Sequence, residues 1–234
     1  MSGNIFLIPT TLGDSSIESV IPSEVCLLLK QIKHFIVEDV RTTRRYLKKV
    51  DKSINIDELT FYVLNKHTSA QQKASFLNAA KKGNHIGIVS EAGCPGVADP
   101  GAEMVSMAHQ QNLRVIPLVG PSSILLSLMA SGMNGQSFAF HGYIPIKSGD
   151  RAKAIKHLEG ISIREKQTQI FIEAPYRNNH LLKDILSTCS PKTKVCVACD
   201  ITLETEFIKT KTVAQWQGQL PELHKRPTIF LIQG

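Results

Sequence analysis

Short apolar segments alternate with segments of helical periodicity over the first half of the chain. An apolar run of four to eight residues between turn residues is typical of a buried strand. Strands that alternate with helices predict a parallel sheet with crossover helices. The first half is therefore predicted to be α/β, with strands at residues 4–8, 34–38, 59–64, 85–90 and 113–119.

Local signals mark where the intervening helices begin. Ser69 and Gln72 have the spacing of a capping box, in which each side chain bonds the other residue's backbone N–H. Asp99 followed by Pro100 predicts an N-cap and a proline in the first turn. The stretch 124–129 is almost wholly apolar, which predicts a helix that is buried on all sides.

The pattern changes after the sequence Gly-Met-Asn-Gly at residues 132–135. Beyond it the alternation is less regular, so some antiparallel pairing is expected. We predict an N-terminal α/β domain over residues 1–118 and a C-terminal α/β domain over residues 119–234. The predicted elements of the second half are strands at 169–173, 195–202 and 228–233 and a helix through 181–186.

Composition narrows the class of protein and its surroundings. The 234 residues are 42% hydrophobic, which permits a core without disulfides or metal. No apolar run approaches the roughly 20 residues that cross a membrane, and the start lacks the features of a signal peptide, so we expect a cytoplasmic protein with no membrane contact. Lys and Arg number 27 against 20 acidic residues, a net charge of +7 that favours an anionic partner such as RNA.

A C-x-x-C pair, Cys196 and Cys199, raises the question of a metal or redox site. The surrounding residues alternate as in a strand, where positions three apart point to opposite faces. We therefore expect two buried strand cysteines. The odd total of five cysteines suits a reducing compartment.

Three loops carry unusual chemistry for connectors: residues 9–13, 90–101 and 119–123. Each follows a predicted strand, and ligands of open α/β sheets bind at the carboxyl ends of strands. The second loop has glycines that allow close backbone approach and prolines that stiffen it. Each loop by itself is explained by a tight turn, but three at equivalent strand ends favour a ligand cleft.

Motifs of other cofactor classes do not occur in the sequence. It contains no P-loop, no G-x-G-x-x-G after the first strand, no G-x-S-x-G and no H-E-x-x-H. We therefore expect no metal and no dinucleotide, and the residues by themselves leave the ligand open.

The three loops resemble the signature of the tetrapyrrole (class III) methylase family, in its ribosomal-RNA branch. The resemblance rests on residues 89–95, 98–101 and 117–122, and continues at 38–44, 141–145 and 173–177. It implies two α/β domains with an interdomain cleft for S-adenosylmethionine, a tetrapyrrole-methylase-like fold, and a homodimer. It also implies methylation of a cytidine ribose 2′-hydroxyl, with rRNA or the small ribosomal subunit as partner.

The resemblance implies particular residues at the cofactor: Pro9, Gly93, Cys94, Val97, Ala98, Ser122, Ser123, Glu173, Pro227 and Thr228. The sequence also departs from that branch. Glu91 and Cys94 stand where Asp and Thr are usual, and the segment that begins at Cys199 has lost two basic groups. We also expect the chain to lack the small C-terminal extension of that branch.

A ribose hydroxyl is a weak nucleophile that benefits from a general base. Asp39 and Glu91 are our candidate catalytic residues, with His67 as a further candidate, although Asp39 also suits a helix N-cap and His67 a loop. Arg41 and Arg44 are candidates for substrate phosphate, or else a solvated helix face. Other basic residues extend this set: Arg45, Lys147, Arg151 and Lys153.

Two other functions stay open at this point. One is methylation of a small or non-ribosomal substrate, such as a tetrapyrrole. The other is a catalytically silent module that binds the cofactor or the ribosome.

Overall fold

The computed structural model describes residues 2–216, 218 and 220–234. The chain divides into two compact units, Met1–Ser122 and Ser123–Gly234. The boundary predicted after residue 118 lies in the loop just before this division.

The first unit contains a five-stranded sheet in the order β3-β2-β4-β1-β5. All of its strand pairs are parallel, as the alternating pattern predicted. The strands are β1 (Ile5–Ile8), β2 (His34–Val37), β3 (Thr60–Val63), β4 (Ile86–Val89) and β5 (Val115–Pro117).

Helices cover both faces of this sheet, because successive strand residues point to opposite sides. Phe6 and Ile8 of β1 pack in a core with α1, α2 and α3, whereas Ile5 packs in the opposite core with α4, α5 and α6. The helices are α1 (Ile17–Val20), α2 (Ser23–Leu29), α3 (Val40–Val50), α4 (Ala70–Phe76), α5 (Asn78–Lys81) and α6 (Gly101–Gln110), with a 3-10 turn at Ile56–Glu58.

The helix-start predictions have two outcomes. The capping box of Ser69 and Gln72 is confirmed at the start of α4. The N-cap predicted at Asp99 is wrong by one residue, since α6 begins at Gly101 with Pro100 in the cap position. The carboxylate of Asp99 nevertheless accepts the Gly101 N–H, at 2.7 Å, and so satisfies a free amide of the first turn.

Adjacent strands β1 and β4 send their chains to opposite faces of the sheet. The chain leaves β1 toward α1 on one face, and leaves β4 toward α6 on the other. This divergence opens a crevice at the carboxyl ends of the two strands, the position where open α/β sheets bind ligands.

The second unit contains a sheet in the order β6-β7-β10-β8-β9. Strands β6 and β7 pair in parallel, whereas the other pairs are antiparallel, which confirms the expected mixture. The strands are β6 (Phe138–Tyr143), β7 (Thr168–Ile172), β8 (Lys194–Cys199), β9 (Phe207–Thr212) and β10 (Thr228–Gln233).

Three α-helices of the described residues flank this sheet: α7 (Ser123–Ser131), α8 (Ser148–Glu165) and α9 (Asn178–Thr188). Helices α8 and α9 close a core around Phe171 and Phe230. The full burial predicted for α7 is wrong, because Met129 is 77% exposed. The helix packs through Ser127, Leu128 and Ser131 instead, so its apolar composition did not identify the packed face.

The cysteine pair lies on β8, where both side chains are buried and free. Cys199 packs in the core formed with α8 and α9, together with Val197 and Val195, two and four positions earlier. Cys196 therefore points to the opposite face of the sheet. This confirms the expectation of buried strand cysteines. In the part of the chain that the structure describes, no helix is long and apolar enough to cross a membrane.

Candidate functional site

Two of the three predicted loops are joined by hydrogen bonds where β1 and β4 end. The Thr10 N–H donates to the Gly93 carbonyl oxygen at 2.9 Å. The Thr10 hydroxyl donates to the Ser90 carbonyl oxygen at 3.3 Å, and the Ser90 hydroxyl donates to the Gly93 oxygen at 3.1 Å. The first two loops therefore form one connected rim of the crevice.

The third loop meets this rim through a contact that only glycine permits. A Cβ atom on Gly120 would lie 2.2 Å from Cβ of Pro9, far inside van der Waals contact. The Cys94 thiol donates to the Pro121 carbonyl oxygen at 3.4 Å, and burial raises the pKa of this thiol, so it acts as a neutral donor. All three loops thus close together within the first unit.

The second loop turns by means of left-handed residues. Gly93 has φ +73°, a conformation that strains any residue with a Cβ, and Ala98 has φ +60°. Asp99 fixes the turn by accepting the Gly96 N–H at 2.8 Å. Val97 is 51% exposed at the outer edge of the loop, where a ligand with an apolar face would cover it.

A cavity of about 430 Å³ opens beside the ends of β1 and β4, within the first unit. Its wall combines hydroxyls, carboxylates and cations. The lining residues are Thr10, Thr11, Gly13, Asp14, Thr42, Thr43, Arg45, Tyr46, Lys49, Val89, Ser90 and Glu91. The cavity takes residues from the first two loops and from α3, and none of the residues predicted at the cofactor lines it.

Helix α3 forms one wall of this cavity. The Tyr46 hydroxyl donates to the Pro9 carbonyl oxygen at 2.8 Å, which holds the helix against the first loop. Arg45 and Lys49 line the cavity, whereas Arg41 and Arg44 are exposed on the same helix but are absent from the lining. The substrate role predicted for Arg41 and Arg44 stays a prediction.

The two candidate bases occupy different environments. Asp39 caps α3, and its carboxylate accepts the Thr42 N–H at 2.7 Å. This hydrogen bond lowers the pKa of Asp39, which weakens the carboxylate as a base. Glu91 lines the cavity, with the Thr42 hydroxyl 3.5 Å from its Oε1. The geometry therefore favours Glu91, while the N-cap alternative for Asp39 is the one that the structure displays.

Two further carboxyl groups lie near this cavity and were not predicted as site residues. Burial raises the pKa of Glu38, and the negative charges of Asp99 and Glu91 add to that shift. Burial likewise raises the pKa of Asp99, although N–H donors from Gly96 and Gly101 oppose the shift. Sequence separation concealed this group, since β2 and β4 become neighbours only in the sheet.

Glu173, predicted at the cofactor, belongs in the second unit to a buried charge network. Its Oε1 accepts the Ala174 N–H at 2.7 Å and a guanidinium N–H of Arg177 at 2.6 Å. Its Oε2 is buried and accepts no hydrogen bond from a described residue, and Arg151 Nη1 lies 3.9 Å from it. Burial opposes ionisation, but the Arg177 and Ala174 hydrogen bonds hold the pKa of Glu173 below its usual value.

Arg151 does not belong to a basic track on the surface, which corrects the expectation for this residue. Only 7% of it is exposed, and its Nε donates to Asp184 at 2.6 Å. Its Nη1 donates to the Ile146 carbonyl oxygen at 3.1 Å. The charge of Arg151 is therefore paired with a carboxylate inside the second unit.

The remaining predicted residues are placed as follows. Ser122 ends the first unit and Ser123 begins α7. The Pro227 carbonyl oxygen accepts the Asp200 N–H at 2.9 Å, and the buried Thr228 hydroxyl donates to the Arg226 carbonyl oxygen at 3.0 Å. The cofactor role of these four residues stays a prediction.

His67 lies exposed in a loop, where its N–H donates to Asn65 Oδ1 at 2.8 Å, in line with the loop alternative. Among the described residues, no group of three or more His, Cys, Asp or Glu side chains is arranged to hold a metal ion.

Solved structures identify the class of this fold. The methyltransferase CobJ superposes with a TM-score of 0.65 at 16% identity, over 100% of this chain and 95% of that chain. A uroporphyrin-III C-methyl transferase from Thermus thermophilus, complexed with S-adenyl homocysteine, superposes with a TM-score of 0.55 at 15% identity, over 99% and 97%. The chain therefore has the class III (tetrapyrrole) methylase fold.

Sequence comparison adds relatives of one kind. The Vibrio cholerae protein named ribosomal RNA small subunit methyltransferase I is 29% identical over 233 residues, 98% of this chain and 77% of that protein. The Pasteurella multocida protein of the same name is 27% identical over 237 residues, 100% of this chain and 80% of that protein. No family model matches the chain. Fold and sequence similarity together identify the chain as a methyltransferase with the class III methylase fold.

The Glu173 network yields a first expectation about stability. Replacing Glu173 by Gln should lower the free energy of unfolding by about 2 kcal/mol at neutral pH, because Arg177 and Arg151 lose a buried charge partner. The difference should shrink below about pH 4.3, the ordinary value for a Glu carboxyl. A carboxyl group whose pKa is lower in the folded than in the unfolded chain stabilises the fold at pH values above its unfolded pKa. This stabilisation is lost as the pH falls through the folded pKa and the group is protonated.

Urea unfolding at several pH values measures this difference. Glu165→Gln is the matched control, since the Arg164–Glu165 pair is exposed and should contribute little. Equal effects of the two substitutions at neutral pH would show that the buried network does not stabilise the fold.

Proposed function

We propose that this methyltransferase transfers the methyl group of S-adenosylmethionine to small-subunit ribosomal RNA, at the ribose 2′-hydroxyl of a cytidine. The observation that carries the proposal is similarity over nearly the whole chain to proteins named ribosomal RNA small subunit methyltransferase I. A net charge of +7 supports a polyanionic substrate.

The residues of the three loops fit the cofactor. Gly120 and Gly93 lack the side chains that would hold the loops apart, so the three loops pack together at the strand ends. Val97 and Val119 are 51% and 75% exposed in the loops that follow β4 and β5, and an adenosyl group would cover such apolar surface. Pro9, Cys94 and Ala98 belong to the same loops. A neighbour of the same fold is complexed with S-adenyl homocysteine.

Bound S-adenosylmethionine supplies an activated methyl group, and its leaving group becomes neutral. The protein therefore needs no new anion-stabilising group for the leaving sulfur. Its task is to position the nucleophile and exclude water. Glu91 is the proposed base that accepts the 2′-hydroxyl proton as the oxygen attacks, because it lines the cavity and Asp39 is engaged as a helix cap.

The alternative of a small tetrapyrrole-like substrate has weaker support. The neighbours named uroporphyrin-III C-methyltransferases are 14–15% identical to this chain, a level at which similarity shows the fold alone. The expected homodimer and cytoplasmic location stay predictions.

Cofactor binding can be tested with a glycine substitution. Gly120→Ala should displace Pro9 and weaken binding of S-adenosylhomocysteine by at least about tenfold, a loss of about 1.4 kcal/mol. For the native chain, ligand at a hundredfold excess over Kd should add about 2.7 kcal/mol of stability. Calorimetry and thermal unfolding measure both effects.

Gly135→Ala is the matched control, because nothing lies within 4 Å of its added Cβ. Normal ligand binding by Gly120→Ala would place the cofactor elsewhere. A native chain with no binding and no thermal shift at millimolar ligand would overturn the cofactor assignment itself.

The substrate class can be tested by the salt dependence of binding. Affinity for small-subunit rRNA should fall as salt rises, with a logarithmic slope of roughly −0.7 per phosphate contact for single strands. Filter binding should compare free rRNA with assembled small subunits. Absent or salt-insensitive binding to both would exclude the RNA substrate and favour a small molecule.

A further inference from the structure

The cavity beside β1 and β4 has a cationic wall on α3. Arg45 and Lys49 both line it, and residues four apart on a helix project to the same side. Arg41 lies four residues before Arg45 on the same side of α3 but does not line the cavity. Arg44 lies on a different side of the helix, with its guanidinium 5.5 Å from the Phe61 ring centroid. Of the basic residues of α3, Arg45 and Lys49 are the two that line the cavity.

Both cations of this wall are available to a ligand. Arg45 forms no salt bridge with any residue that the structure describes. Lys49 Nζ lies 2.6 Å from Asp14 Oδ1, but the Asp14 side chain is fully exposed. An exposed pair of this kind contributes little stability. A phosphate group can therefore replace Asp14 beside Lys49 with little loss of stability.

The other walls limit what can enter. Thr10, Tyr46 and Ser90 also line the cavity, and the hydroxyl group of each donates to a backbone carbonyl oxygen. Glu91 adds a negative charge to the lining, close to Thr42 of α3, and this charge disfavours an anion bound directly beside it. The volume of about 430 Å³ falls in the range of roughly 300–1,000 Å³ typical of small-ligand pockets.

We propose that Arg45 and Lys49 bind the phosphate of a single-stranded RNA nucleotide that enters this cavity. The inference rests on the proposed RNA function and adds the position of the substrate. A guanidinium fork matches two phosphate oxygens, and the lysine ammonium adds a point charge beside it. The cavity that would hold this phosphate on α3 also contains Glu91, the proposed base, so a bound nucleotide places its sugar in the same cavity as that carboxylate.

The direct test uses cytidine 5′-monophosphate as the probe, titrated into the full chain and followed by NMR. The native chain should show saturable shifts. Arg45→Gln with Lys49→Gln should weaken binding by at least about tenfold, since each charge-assisted contact contributes more than a neutral hydrogen bond. The same double variant should raise KM for rRNA while affinity for S-adenosylhomocysteine stays unchanged.

Lys48→Gln with Lys52→Gln is the matched control. It also removes two positive charges, from residues next to the pair under test, and neither Lys48 nor Lys52 lines the cavity. This variant should bind the probe as the native chain does. Equal weakening of probe binding by both double variants would show that binding depends only on net charge, and it would overturn the proposal.

Three other results would also overturn it: no probe binding by the native chain, unchanged binding by the Arg45 and Lys49 variant, or competitive displacement of the probe by S-adenosylhomocysteine, which would assign the cavity to the cofactor. Methyl transfer to rRNA by the native chain is scored separately. Transfer without dependence on Arg45 and Lys49 rejects this inference alone, whereas probe binding without any transfer rejects the proposed function alone.

Discussion

The hydrogen bond from the Thr10 N–H to the Gly93 carbonyl oxygen is the constraint on which the site depends. Strands β1 and β4 are neighbours whose chains then diverge to opposite faces, and this bond ties their loops together at the point of divergence. Gly120 closes the third loop against Pro9 without a Cβ. The cavity beside these loops exists because the sheet order places two distant segments side by side.

Much of the first unit could be predicted, because its three central strands, β1, β2 and β4, are largely buried on both faces and read as continuous apolar runs. Strands β6 and β9 were missed for the opposite reason. Strand β9 has two apolar residues followed by four polar ones and lies at an edge of the sheet, and β6 is only partly buried. Helix α7 shows a different limit, since its apolar sequence did not reveal that Met129 faces outward.

The location of the candidate site followed from local signals, whereas its charged walls did not. Glycine and proline at strand ends mark where a ligand can approach, and that information is contiguous in the sequence. The choice among Arg41, Arg44, Arg45 and Lys49 depends on how α3 is rotated against the sheet, which packing around Tyr46 and Leu47 decides. Arg151 was likewise expected on the surface, but Asp184, distant in sequence, holds it inside the second unit.

The most direct measurement of the central claim is methyl transfer itself. Small ribosomal subunits from a strain that lacks this gene would be incubated with the protein and S-adenosylmethionine labelled in its methyl group, and the rRNA mapped by mass spectrometry. The account predicts one labelled methyl on the ribose of a cytidine, formed only when the protein is present. Unlabelled RNA, alongside a protein shown to bind the cofactor, would contradict it.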